Sequence, residues 1–254
     1  MAFIRVFLDT MMLVYAADER LRFVPRASRI QWGDIDKEII VHDPVIVRPN
    51  EAFDPALKTE VSLLPLIALM AHRHDLELLS HGEAMMELWE GRATGDARGH
   101  FYGAPISHVP GPIQYGRVVL SGFPERLPAI ATTEEMSQTK HRQIAFMNGL
   151  THPRFLQLRH ACRADRAKGI DPNQLADAFH LWTAEVAGAT HFLTAEKKLL
   201  ALGSDAALRL ACRPVCPSQL VKDVCPSRAR QLYLRALLRL DEWLHPQRWH
   251  VAAS

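Results

Sequence analysis

Apolar and polar positions alternate along this chain in a strand–helix rhythm that is interrupted twice. Phe3 to Leu8 is a short, apolar, β-prone run, which predicts a buried strand of a parallel sheet. Asp9-Thr10 closes it, and MMLVYAADE continues at helical spacing. Leu57 to Ala71 predicts a long apolar helix with a kink at Pro65. Leu76 to Ser80 predicts a second strand, His81-Gly82 a turn, and Glu83 to Glu90 a helix. Thr151 to Lys168 predicts a basic helix. The best-signalled stretch follows, DPNQLADAFHLWTAEVAGATHFLTAEKKLL. Asp171 is an N-cap, Pro172 suits the first helical position, and Gln174 stands where a capping box places its reciprocal acceptor. Leu175, Phe179, Trp182 and Val186 form a buried stripe, Gly188 a C-cap, and Thr190 to Thr194 a strand. RLACRPVCP reads as a last strand or extended piece. Pro217-Ser218 opens a helix, and Ser227 to Leu244 is an amphipathic helix suited to core packing or a partner interface.

The interruptions differ in character. Residues 20–56 predict short strands with turns at Gly33-Asp34 and His42-Asp43-Pro44. Residues 91–150 are rich in Gly, Pro and His and predict another hairpin or an extended excursion with tight turns, with a helix opening at Thr133-Glu134-Glu135. The expectation is an α/β domain over residues 1–225, with insertions at about 20–56 and 91–150, and a helical extension over 226–254.

Composition narrows the setting. Hydrophobic residues make up 48% of the chain, enough for a sizeable core. No run approaches the roughly 18 apolar residues of a membrane span, and the N-terminal apolar run is too short for a signal peptide. The expectation is a cytoplasmic protein with no membrane association. A net charge of +2 requires any surface for a polyanion to be local. The four cysteines lack the paired short spacings of a zinc site and read as reduced thiols.

Candidate chemistry lies in the acids. Asp9 follows the first strand, at the edge of a parallel sheet where ligands bind, and the same position suits a plain N-cap. Glu83 and Glu87 share one helical face after the second strand. Asp177 lies early in the capped helix, and Glu196 lies just past its strand. Carboxylates gathered this way repel unless a cation compensates, and oxygen-only ligands favour Mg²⁺ or Mn²⁺. The chain lacks a P-loop, a G-x-S-x-G elbow, an H-E-x-x-H pair and the Asp-x-Asp of aspartyl phosphotransferases. His72 and His74 fit helix-end capping better than metal ligation. Arg159, Arg163 and Arg166 form either a solvated face or a phosphate-tracking surface.

FIRVFLDTMMLVYAAD, LELLSHGEAMMELWE and ADAFHLWTAEVAGATHFLTAEKKLL together resemble the PIN-domain superfamily of metal-dependent ribonucleases, including the toxin–antitoxin type. The resemblance covers roughly 3–17, 62–90 and 153–225. It implies a three-layer α/β/α fold with a mainly parallel sheet. It implies Mg²⁺ or Mn²⁺ at Asp9, Glu87, Asp177 and Glu196, with Glu83 the alternate for the second acid. Thr10 and Thr194 would orient metal or water, and Lys197 would meet a phosphate. Glu196 departs from the family's commoner Asp. The implied activity is hydrolysis of RNA by metal-activated water, without a covalent intermediate. The implied partners are an RNA substrate, a second copy in a homodimer, and, for the toxin type, an inhibitory protein. Two other readings stand beside it: a non-catalytic RNA- or protein-binding module with a degenerate acidic site, and a hydrolase of a small phosphate compound.

Overall fold

The computed structural model describes residues 3–16, 20–32, 35–47, 53–84, 100–113, 133–167 and 169–244. Its centre is a five-stranded parallel sheet built from β1 (Arg5–Leu8), β4 (Glu77–Ser80), β5 (Ile106–His108), β8 (His191–Leu193) and β9 (Arg213–Val215), in the order β5-β4-β1-β8-β9. The strands are three or four residues long, and the three central ones, β4, β1 and β8, are buried on both sides. That explains why these three read as apolar runs rather than as alternations.

Successive side chains nevertheless serve different layers. Val6, Leu8, Leu78, Leu193 and Val215 enter one core. That core also holds α1 (Thr10–Ala16), α3 (Leu64–His72) and α8 (Pro217–Val224). Phe7, Leu79 and Phe192 enter the other, against α5 (Pro153–Ala161), α6 (Pro172–Val186) and Leu199 of α7 (Lys197–Leu202). Phe7 and Phe192 are direct neighbours across β1 and β8, with rings stacked 5.7 Å apart. Helices therefore cover both faces of the sheet, giving α/β/α layering.

The connections leave β1 and β8 in opposite directions. From β1 the chain passes to β4 and then outward to β5. It returns to place β8 on the other side of β1, and moves on to β9. Asp9 and Thr194 end these two neighbouring strands, so they flank the switch point where parallel sheets open a ligand crevice.

Several sequence expectations are corrected. The apolar run over 57–71 is not one kinked helix. It is α2 (Pro55–Val61) and α3, separated at Ser62-Leu63, because Pro65 has no N–H to return to the Val61 carbonyl. The 20–56 segment forms one ribbon of β2 (Arg20–Trp32) and β3 (Ile35–Val47), with no turn at 42–44: His42, Asp43 and Pro44 pair with Pro25, Val24 and Phe23. A two-stranded ribbon turns half its N–H groups outward, which is how it can carry a proline. Gly33-Asp34 lies outside the described residues, bracketed by the pair Trp32–Ile35. The excursion over 91–150 contributes β5, the edge strand beside β4, and α4 (Thr133–Asn148). Residues 91–99 and 114–132 lie outside the described residues.

The basic helix ends early as well. α5 stops at Ala161, and the chain continues through Arg163 at φ 57° into a small hairpin, β6 (Asp165–Arg166) and β7 (Gly169–Ile170). Arg163 N–H donates to the His160 carbonyl and Ala164 N–H to the Arg159 carbonyl, which is a Schellman ending. Gly188 closes α6 in the same way, at φ 68°, with Gly188 bonded to Glu185 and Ala189 to Ala184. His74 does so for α3 at φ 59°. Val186, assigned to the buried stripe, is 58% exposed in the last turn of α6. α9 (Arg228–Leu244) completes the described chain. No described helix is long and apolar enough to cross a membrane. All four cysteines are free thiols.

Candidate functional site at the switch point

Asp9 is 6% exposed and sits between two backbones. Its N–H donates to the Leu193 carbonyl at 3.1 Å, continuing the β1–β8 ladder past the strand end. Its carbonyl accepts from Met12 N–H at 2.9 Å and its Oδ1 from Met11 N–H at 3.4 Å, so it also starts α1. The N-cap reading of Asp9 is therefore partly right.

The other oxygen does something an N-cap does not require. Thr194, fully buried, donates its hydroxyl to Asp9 Oδ2 at 2.6 Å. A carboxylate oxygen only accepts, so the hydroxyl donates, and Thr194 Oγ1 also accepts the Glu196 N–H at 3.0 Å. One hydroxyl thus spans the crevice, aims the Asp9 carboxylate, and shapes the turn that carries Glu196. Thr10, also assigned a supporting role, is buried at the start of α1.

Asp177 is reached differently. Asp171 caps α6 by accepting from Asn173 N–H at 3.0 Å and Gln174 N–H at 3.4 Å. The predicted capping box does not close, because Asp171 N–H is already taken by the Ala164 carbonyl at 2.8 Å. The Gln174 side chain, 5% exposed, turns forward instead and donates to Asp177 Oδ2 at 3.1 Å. Glu196 precedes α7 in the N-cap position, and its carboxylate makes no capping bond. The Asp177 and Glu196 carboxylates both act on the buried Cys162 thiol. Burial pushes the Cys162 thiol up to about 12, and the fields of Asp177 and Glu196 add to that rise. Lys197 is exposed at the first position of α7.

Glu87 lies outside the described residues. Its alternate, Glu83, is 1% exposed and accepts from the Gln143 side chain of α4 at 2.7 Å. Its N–H donates to His81 Nδ1 at 3.2 Å. Among the described residues, no three His, Cys, Asp or Glu side chains are grouped to hold a metal ion. Asp9 and Glu196 follow the neighbouring strands β1 and β8, Asp177 lies in the early part of α6, and the three do not form a compact ligand set. His72 and His74 are separated by the end of α3: His72 Nε2 lies 3.3 Å from the Tyr102 carbonyl, while His74 makes the left-handed turn.

Two participants carry little signal in the sequence. His81 follows β4 and is 5% exposed beside Phe179. Burial holds its pKa down at about 4, and the nearby His180 and His108 lower it further. Gln143 looks like a polar position of an unremarkable helix, yet it is the buried partner of Glu83. Only the side chains' convergence on one edge reveals either.

Beside Gln174, the partner of Asp177, lies a groove of about 680 Å³, whose charged lining is Arg163, Arg166 and Lys198 with Asp165 and Asp205, and which Cys162 also lines. The three assigned arginines differ in freedom. Arg159 grips Asp165 through Nε at 3.0 Å and Nη2 at 2.5 Å, and reaches the Asn148 carbonyl. Arg166 pairs with Asp171 while remaining half exposed. Arg163 is exposed at the groove's rim. Arg154, in the same basic stretch, is committed to Glu185 by two bonds of 2.7 and 2.5 Å, and that carboxylate holds its pKa up.

Compared with known proteins, the chain matches no family model, no curated protein and no solved structure.

Proposed function

We propose that this protein is a metal-dependent nuclease of the PIN type that hydrolyses phosphodiester bonds in RNA at the β1–β8 crevice. The observation that carries the reading is the Thr194–Asp9 hydrogen bond. A buried carboxylate aimed by a buried hydroxyl at a switch point is an arrangement that helix capping alone does not need. Hard oxygen donors are present on three elements, which suits Mg²⁺ or Mn²⁺. Asp9, Asp177 and Glu196 would hold the ion, with Glu87 as fourth acid and Glu83 as its alternate. When bound, such an ion lowers the pKa of water and neutralises phosphate charge. The Gln174 side chain fixes the orientation of the Asp177 carboxylate. Thr194 and the Met11 N–H together orient the Asp9 carboxylate. Arg163, Arg166 and Lys198 supply positive charge along the adjoining groove, where a phosphate-bearing strand would run.

One observation favours a second reading. No three described ligands are grouped for a metal, as a non-catalytic RNA- or protein-binding module with a degenerate acidic site would have it. Titration of the protein with Mn²⁺ by calorimetry separates the two. The nuclease reading expects saturable binding that Asp177→Asn weakens. No binding at millimolar Mn²⁺, with RNA still bound, favours the second.

A further inference from the structure

α9 packs on the body through Leu234, which is 1% exposed, with Leu237 and Leu238 beside it. Arg230 of the same helix reaches Asp75 at 2.8 Å. A second apolar face remains uncovered among the described residues. Leu232, Tyr233, Leu240, Trp243 and Leu244 are 59, 56, 51, 77 and 52% exposed. With the exposed Ala229 and Ala236 they form one stripe about 120° wide along the helix, at 100° per residue. The five large side chains offer on the order of 600 Å². Soluble chains seldom leave such a stripe in water.

We propose that this stripe is a homodimer interface, in which α9 pairs antiparallel with α9 of a second copy about a two-fold axis at Ala236. The sequence of the stripe is complementary to itself under that operation. Ala236 meets its own image, and its small side chain lets the two helices approach. Leu232 meets Leu240 of the second copy. Trp243, the largest and most exposed member, lies over Ala229 of the second copy, so bulk faces a gap at both ends. Arg239 lies against Tyr233 of the second copy, where a guanidinium can rest on an aromatic face. Arg228 falls beside the C-terminal end of the opposing helix, where a cation is favoured. The acids of α9 are elsewhere: Asp241 lies on the side of Leu234, and Glu242 lies beyond the arginine border of the stripe. Two stripes together bury about 1,200 Å², the lower bound of a specific dimer, so a micromolar association is expected. The pairing uses residues outside the crevice and stands whether or not the nuclease reading holds.

Sedimentation velocity on the full chain at micromolar concentration tests this, together with oxidative cross-linking of Ala236→Cys. Ala236→Cys should form a disulfide-linked dimer, because the axis brings the two copies of residue 236 together. Because Cys216 is only half-buried, the substitution is made in a Cys216→Ser background, which alone should not cross-link, since Cys162, Cys212 and Cys225 are buried. Leu240→Glu should sediment as a monomer with an unchanged melting temperature, because its side chain is exposed in the single chain. A wild-type monomer overturns the proposal, and so does a dimer in which Ala236→Cys fails to cross-link. A monomer that co-sediments with phosphatidylglycerol vesicles would assign the stripe to a lipid surface and also overturn it.

Discussion

Thr194 and Asp9 are 185 residues apart in sequence and 2.6 Å apart at the sheet edge. The hydroxyl gives its one proton to the acceptor-only carboxylate and accepts the Glu196 N–H on the other side. Replacing it with an isosteric methyl leaves a buried carboxylate oxygen without that donor. Thr194→Val should therefore lose about 1–3 kcal/mol in urea denaturation, and Thr194→Ser should recover most of it. Equal stability of Thr194→Val and wild type would show that the bond contributes nothing.

Acid should weaken the fold through His81. Its pKa is about 4 in the fold against 6.5 when free, so the unfolded chain takes up its proton first. Its contribution is fully present above pH 6.5. It declines as pH falls toward 4, by on the order of 3 kcal/mol in total, and is constant below that. The Glu83 N–H pointing at His81 Nδ1 agrees, since a protonated Nδ1 could not accept it. Denaturation midpoints measured between pH 7 and 4 should fall less steeply for His81→Asn. Parallel pH profiles for the two proteins would remove His81 as the cause.

Gly188 should tolerate no side chain. Its φ of 68° disfavours L-residues, and an added Cβ would lie 3.2 Å from Arg5 Nη1. That guanidinium donates to the Ala187 carbonyl at 2.6 Å and to Glu77 at 2.9 Å, tying the end of α6 to the sheet. Gly188→Ala is expected to cost about 1–2 kcal/mol, read as a lower melting temperature. Asp177 should be undisturbed, since it lies at the other end of α6.

The architecture was legible where local physics decides it. The strands at 3–8 and 76–80 and the capped helix at 171 follow from apolar runs and cap chemistry that need no distant partner. Gln174 was misread for a long-range reason: the Asp171 N–H that a capping box would satisfy is consumed by Ala164, across the β6–β7 hairpin. β5 was missed because three residues among Gly and Pro carry no periodicity, and only pairing with β4 makes them a strand. Arg163 at a left-handed helix ending replaces the usual glycine, so the stop of α5 was invisible. Of the proposed site, the positions of Asp9 and Glu196 after strands and of Asp177 in the early helix follow from the sequence, and the structure has them there. The roles of Gln143 and His81 do not, because burial against distant elements gives them their importance.

The basic stretch divides by pairing. Arg163→Ala should weaken RNA binding at low salt and reduce the slope of log affinity against log salt by about 1, leaving the melting temperature unchanged. Arg159→Ala should lower the melting temperature instead, because it releases Asp165 and the Asn148 carbonyl. Fluorescence anisotropy across a salt series, beside thermal melts, separates the two effects. Identical behaviour of both variants would contradict the division.

The central claim is that Asp9 anchors a metal-dependent nuclease centre. Cleavage of an end-labelled RNA by the purified chain, with Mn²⁺ or with chelator, addresses it most directly when Asp9→Asn is run beside wild type. The account predicts cleavage that requires the divalent ion and falls by at least about 100-fold in Asp9→Asn, whose melting profile stays cooperative. Cleavage by Asp9→Asn at the wild-type rate, or wild-type cleavage indifferent to chelator, would contradict it.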